Sequence, residues 1–262
     1  MIVTKLKGGL GNQIFQWAYA KNISLLYNIP LYLDIDFYDK NITGITKRTY
    51  SLNSFPKLNT NFINDIKNNG KKFITFNEPN AYSKISYNDS YNYYFDGYFQ
   101  SEKYFLESSF VIKNELAPTD VFLKRIKNTP LIESNTISLH VRRTDYVTSN
   151  GYHPIQSIEY YKNALDIIGK YEYLFIFSDD INWCKENLKF DNMIFIEGND
   201  DVEDIWLMSM CKHNIIANST FSWWGAWLNS NPNKKVIAPT NWFGINTNIN
   251  TNDLVPDGWI KI

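Results

Sequence analysis

Cysteine, histidine, net charge and long apolar runs are all scarce in this 262-residue chain, and each scarcity removes a class of function. The two cysteines, Cys184 and Cys211, belong to no CxxC and fall on segments with helical periodicity. That excludes a disulfide framework and predicts buried thiols in a reducing compartment. With three histidines, and neither cysteine near an HxxxH, a structural zinc site is excluded as well. Lysine plus arginine number 26 against 27 acidic residues, so no broad basic field advertises nucleic acid and any anion site must be local. No run of about eighteen apolar residues appears, and Met1-Ile2-Val3 leads at once into a strand with no export signal, so the expectation is a cytoplasmic protein.

Aromatic residues are abundant, with 18 Tyr, 17 Phe and 8 Trp, enough for a large core and for flat stacking on sugars or a base. The length suits either one large α/β unit or two domains of about 130 residues each, and two lobes are the expectation. Ile2 to Leu6 reads as a strand, Gly8 to Gln13 as a tight loop, Ile14 to Tyr27 as a helix and Pro30 to Leu33 as a second strand, the start of a doubly wound unit. Residues 39–92 carry no clear periodicity, and 94–100 read as an aromatic strand leaving the first lobe. From about residue 130 strands and helices alternate: strands at 136–142, 173–178, 193–196, 214–217 and 235–238, helices at 156–169, 181–188, 202–211 and 221–229. Such alternation specifies an α/β fold with mostly parallel sheets, divided into lobes 1–128 and 129–262 with a cleft between them.

Three strand ends in the second lobe carry polar groups. His140-Val141-Arg142-Arg143-Thr144-Asp145 ends a strand in two adjacent arginines, whose planar forks match phosphate oxygens; a surface pair bridged to Asp145 is the alternative. Ser178-Asp179-Asp180 follows a strand apolar on both faces, and its carboxylates suit either a guanine edge or a helix N-cap. Asn218-Ser219-Thr220-Phe221-Ser222 passes from a strand into a helix N-terminus, where backbone N–H groups and hydroxyls make a phosphate cradle. The loop Gly8-Gly9-Leu10-Gly11-Asn12-Gln13 does not complete GxGxxG, because Ile14 stands where the last glycine belongs.

HVRRTD at 140–145, FSDDINWCKENL at 177–188, ANSTFSWWGAWL at 217–228, GGLGNQIFQWAYA at 8–20 and GYFQSEKYF at 97–105 together resemble the bacterial α-1,2-fucosyltransferases. HVRRTD and the following Tyr152-His153-Pro154-Ile155 also resemble the α-1,6-fucosyltransferases. The resemblance implies two Rossmann-like lobes facing a cleft (a GT-B-type glycosyltransferase) and inverting transfer from GDP-fucose with no required cofactor or metal. The implied acceptor is a galactose-terminated oligosaccharide or lipid-linked glycan, at or near the cytoplasmic face of a bacterial membrane. It further implies that Arg142 grips the diphosphate with Arg143 in support. His140 and Asp179 would hold the guanosine, Ser219, Thr220 and Ser222 the phosphate oxygens, Asn218 would belong to the same GDP-fucose site, and Asn12 would reach across from the first lobe. Where the α-1,6 relatives carry a glutamate before His-Pro, this chain has Asn150, leaving Asp145 and His153 as alternative catalytic bases.

Two other readings compete. Asp34-Ile35-Asp36 is a DxD that can hold a divalent metal against a diphosphate, although an aspartate there also caps a turn. The Trp223-Trp224 pair can mark a glycan-binding module without catalysis, although tryptophans opening a helix are more often core.

Overall fold

The computed structural model of the protein describes residues 1–40, 46–66, 70–127, 129, 134–149, 151–245 and 247–262. They form two compact units, Met1–Ala117 with Asn250–Pro256 and Pro118–Ile249 with Asp257–Ile262. The division at Ala117 precedes the helix Asp120–Ile126, whereas the sequence pattern suggests 128, a residue outside the described set.

Among the described residues the first unit carries a five-stranded sheet, paired in parallel throughout. Its strands are β1 (Ile2–Lys5), β2 (Leu31–Asp34), β3 (Asn61–Phe62), β4 (Phe73–Asn77) and β5 (Asn92–Asp96), in the order β3-β2-β1-β5-β4. The aromatic strand does not leave the unit: β5 lies between β1 and β4, its Tyr93 and Phe95 buried, and the chain turns sharply at 97–99. The first helix spans Leu10–Tyr27 and so begins earlier than its apolar periodicity shows. Gly8 at φ 81° makes the turn that L side chains resist, and the carbonyl of Gly9 accepts the N–H groups of Asn12 and Gln13 at 3.0 and 3.1 Å. At the other end Asn28 closes the helix in the left-handed conformation, φ 50°. Phe15, Tyr19, Phe95, Phe99 and Phe105 fill the core, with Tyr19 stacked on Phe99 at 4.2 Å. These rings are therefore packing, each fully buried one contributing roughly 1.5–3 kcal/mol relative to exposure.

Among its described residues the second unit carries six parallel strands, β6 (Thr136–Val141), β7 (Tyr173–Ser178), β8 (Met193–Phe195), β9 (His213–Ile215), β10 (Val236–Ala238) and β11 (Ile260–Lys261), in the order β11-β10-β9-β6-β7-β8. On one face of β6, Ile137, Leu139 and Val141 share a core with Tyr161, Ala164 and Leu165 of the helix Ile158–Ile168. Ser138 and His140 alternate to the other face. There the helices Asp201–Met210 and Thr220–Leu228 approach so closely that a Cβ on Gly225 would lie 2.7 Å from Met208 Cβ. Both cysteines are buried free thiols, and burial pushes Cys211 up to about 12, so neither is a ready nucleophile.

Candidate functional site

In the second sheet β6 is flanked by β7 and β9, and the chain proceeds outward from it in one direction and then the other. Such a reversal opens a crevice beyond the carboxyl ends of the two strands at the switch, the general location of ligands in open α/β sheets. Arg142 leaves β6 at this point and Asn218 follows β9.

The guanidinium of Arg142 is clamped between two carboxylates. Its Nη2 lies 2.6 Å from Asp145 Oδ1 and its Nη1 3.1 Å from Asp179 Oδ2, with the arginine side chain 18% exposed. Asp179 does more than pair with it. Its Oδ1 accepts the N–H of Arg143 at 2.9 Å and its Oδ2 the N–H of Thr144 at 3.1 Å, and the Thr144 hydroxyl donates to the same oxygen. Burial alone would raise the Asp179 carboxyl, but Arg142 and these donors outweigh it and hold the pKa below the ordinary carboxylate value. Asp179 thus shapes the arginine loop. Asp180 is the N-cap of the helix Ile181–Asn187 and accepts from Trp183 N–H at 3.3 Å.

The two arginines diverge. Arg143 packs over the Trp183 ring, 3.9 Å from its centroid, with Nε 3.2 Å from Asp180 Oδ2. Arg142 and Arg143 against Asp145, Asp179 and Asp180 give two positive and three negative charges, so the site has oriented donors without a net positive charge. Each guanidinium has five N–H donors in a fixed fork, more than these pairs occupy.

His140 is buried, with no hydrogen-bond partner at Nδ1. Burial lowers its pKa to about 4, the nearby Asp179 opposing and Arg142 reinforcing, so the ring is neutral at pH 7. His153 stacks on Tyr146 at 4.5 Å and 11° and also contacts Tyr152 and Phe243. Burial lowers its pKa too, against Asp145. The Gly244 N–H donates to the Tyr152 carbonyl at 3.0 Å, and a Cβ on Gly244 would stand 1.9 Å from the Gly151 carbonyl oxygen, so this loop contact requires glycine. Asn150 lies outside the described residues.

Of the hydroxyl cluster after β9, much is committed to the fold. Asn218 accepts from Gln156 at 3.1 Å and donates to the Trp242 carbonyl at 3.0 Å, while its own carbonyl accepts the Tyr146 hydroxyl at 2.9 Å. Ser219 caps the helix Thr220–Leu228, and buried Ser222 donates to the Ser219 carbonyl at 3.3 Å. Thr220 is half-buried at the first turn. Trp223 and Trp224 are fully buried against each other, at 5.0 Å, which removes them as a sugar platform.

In the first unit, Asn12 accepts from Gln100 at 2.9 Å. Gln13 is fully buried and ties Gly8 and Thr49 carbonyls to Ser51 N–H, so of these two neighbouring amides Asn12 is half-exposed and Gln13 is an internal brace. The DxD serves the fold in the same way: Asp34 accepts Asp36 N–H at 3.0 Å and the Tyr94 hydroxyl, while Asp36 is exposed. No group of three or more metal-ligating side chains occurs among the described residues. Residue patterns assign no role to Trp183, Thr144, Tyr146 or Gln156, although Trp183 sits inside the FSDDINWCKENL motif and Thr144 inside HVRRTD.

A profile of glycosyl transferase family 11 matches residues 1–262. An alpha-1,2-colitosyltransferase of Escherichia coli is 33% identical over 303 residues, covering 100% of this chain and 99% of that protein. The O-antigen biosynthesis glycosyltransferase WbnK, also of Escherichia coli, is 31% identical over 308 residues, covering 98% and 99%. Among solved structures, the NodZ alpha-1,6-fucosyltransferase soaked with GDP-fucose aligns with a TM-score of 0.52 at 14% identity, over 87% of this chain and 92% of NodZ. At that identity the likeness bears on fold, which is that of a GT-B-type glycosyltransferase.

Proposed function

The chain belongs to glycosyl transferase family 11, and from that premise we propose that it transfers L-fucose from GDP-β-L-fucose to the 2-hydroxyl of a terminal galactose, with inversion and without a metal. The observation that carries this reading is the double clamp on Arg142 at the β6/β9 switch point. When fucose leaves, charge gathers on the β-phosphate of GDP. An arginine already aimed by two carboxylates, with the N-terminus of the helix Thr220–Leu228, meets that charge without reorganising. Because the local charges nearly cancel, the site works by donor geometry more than by net field, and GDP affinity is expected to depend only modestly on salt.

Of the two base candidates, Asp145 is bound to Arg142 and serves first to aim it. The acceptor proton has to leave only late in such a reaction, so the arginine, rather than a base, dominates the barrier. His140 and Asp179 remain the residues assigned to the guanosine end, Asp179 through the loop it organises.

A second donor is favoured by one finding, the full-length likeness to a colitosyltransferase. Colitose is L-fucose without its 3-hydroxyl, so the two donors differ by one polar group. The deciding experiment offers GDP-fucose and its 3-deoxy counterpart in parallel to a panel of β-galactosides and reads product linkage and anomeric configuration by NMR. A product linked anywhere but O2 of galactose overturns the reading, and so does inhibition by EDTA that Mn²⁺ reverses. The O-antigen relative favours a lipid-linked glycan acceptor at the cytoplasmic membrane face. No helix among the described residues is long and apolar enough to cross a membrane.

A further inference from the structure

The first sheet has its own switch point, between β1 and β5, and the groups there differ in kind from those of the second unit. Lys5 closes β1, Lys7 follows it, and both ammonium groups converge on Asp96 at the end of β5, at 2.7 and 2.8 Å. The position of Lys7 is fixed by the buried amide of Gln16, which accepts the Lys7 N–H at 3.0 Å and donates to its carbonyl at 3.3 Å. Beside them Tyr98 is 40% exposed, with Lys7 Nζ 4.7 Å from its ring centroid.

The backbone that presents Tyr98 is strained. Phe99 takes φ 52°, a conformation costing roughly 1–3 kcal/mol for a bulky residue, and persists because its ring is locked among Tyr19, Phe76 and Tyr104. A Cβ on Gly97 would fall 2.4 Å from Glu78 Cβ, while the Tyr98 N–H donates to Glu78 Oε2 at 2.6 Å. Packing therefore anchors both neighbours of Tyr98 and leaves Tyr98 itself partly exposed. No arginine fork is present, and Asp96 takes one N–H from each lysine while two remain on each ammonium. A partly exposed aromatic ring beside paired donors and a carboxylate suits a polyhydroxylated ring with one apolar C–H face better than it suits a phosphate.

We propose that the β1/β5 switch point is a saccharide subsite, in which Tyr98 stacks on the acceptor galactose and the Lys5–Asp96–Lys7 triad receives its hydroxyls. This assignment rests on the β-galactoside acceptor of the proposed function. Tyr98→Ala is expected to raise KM for the acceptor about 5- to 10-fold, in line with the loss of one aromatic stack. GDP affinity should stay unchanged by calorimetry, which also reports that the variant is folded, and Tyr98→Phe should keep KM within about twofold of wild type. An unchanged acceptor KM in Tyr98→Ala overturns the subsite. The galactoside reading fails separately: it falls if wild type transfers to no β-galactoside. The subsite is then judged by saturation-transfer NMR with methyl β-D-galactopyranoside in the presence of GDP. A signal lost in Tyr98→Ala supports it, and a signal absent from wild type or kept in the variant overturns it.

Discussion

Asp179→Ala separates two roles for one carboxylate, contact with the guanine base or support of the arginine loop. The substitution removes the acceptor for the N–H groups of Arg143 and Thr144, for the Thr144 hydroxyl and for one arm of Arg142. A neutral hydrogen bond contributes about 1 kcal/mol net and one to a charged group about 1.5–3, but water can reach the Thr144 side of the loop and recover part of this. A net loss of about 2–3 kcal/mol follows, which lowers Tm by roughly 5–10 °C in a protein of this size. Because Asp179 is held below the ordinary carboxylate pKa, its contribution is fully present above the unfolded value of about 3.9 and is lost as pH falls through the folded value. The gap in Tm between wild type and variant should thus be widest near neutrality and close in acid. In catalysis, a displaced Arg142 should reduce kcat about 10²-fold, the scale of a small misplacement of a catalytic group. Thermal melts across pH, with kcat and KM for GDP-fucose, test all of this. Unchanged kcat and Tm with a raised donor KM would refute the supporting role and leave base contact alone.

Arg142→Lys keeps the charge but cannot span Asp145 and Asp179 together, so kcat should fall about 10²-fold or more with Tm little changed, while Arg143→Lys, which loses packing on Trp183, should be milder in steady-state assays. Asp145→Asn should abolish transfer and weaken GDP binding by calorimetry, whereas His153→Ala should leave measurable activity; full GDP affinity in Asp145→Asn with retained donor hydrolysis would instead make Asp145 the base. Gly244→Ala must push the 151–153 loop aside and should destabilise by about 1–3 kcal/mol in denaturant titration, with reduced transfer; a wild-type midpoint would show that the loop yields freely. The lowered pKa of His140 means that the unfolded chain takes up its proton first as pH drops, so stability from this residue is lost between about 6.5 and about 4, and His140→Phe should flatten that stretch of the pH–stability curve.

The stretch of the second unit from β6 to β10 was legible in the sequence because its strands are short buried runs separated by helices with clear apolar periodicity, whereas the two-residue β11 and the helices Asp120–Ile126 and Thr144–Val147 are too short to show a period. The predicted 173–178 strand and the observed β7 coincide, and the neighbouring elements differ by a residue or two at their ends. The first unit was less legible. β3 and β4 are largely exposed and carry no alternation, and the start of the helix Leu10–Tyr27 depends on glycines that disguise it as loop. Aromatic density could not say which rings are core: Phe99 is buried and Tyr98 exposed because of a backbone turn that residue types do not reveal.

Residue types in order along the chain set the chemistry at hand, since arginine forks, hydroxyls before a helix and carboxylates after strands follow from residue identity and from their place beside apolar runs. How those groups are shared depends on the fold. Strand order brings the ends of β6, β7 and β9 together from positions far apart in the chain, and there Asp179 meets backbone N–H groups that no linear pattern exposes. Hydrogen bonding saturates at short range. A carboxylate or amide that looks available in sequence therefore becomes a brace, as Asp34, Gln13 and Asn218 do, when folding places a donor or acceptor within about 3 Å of it.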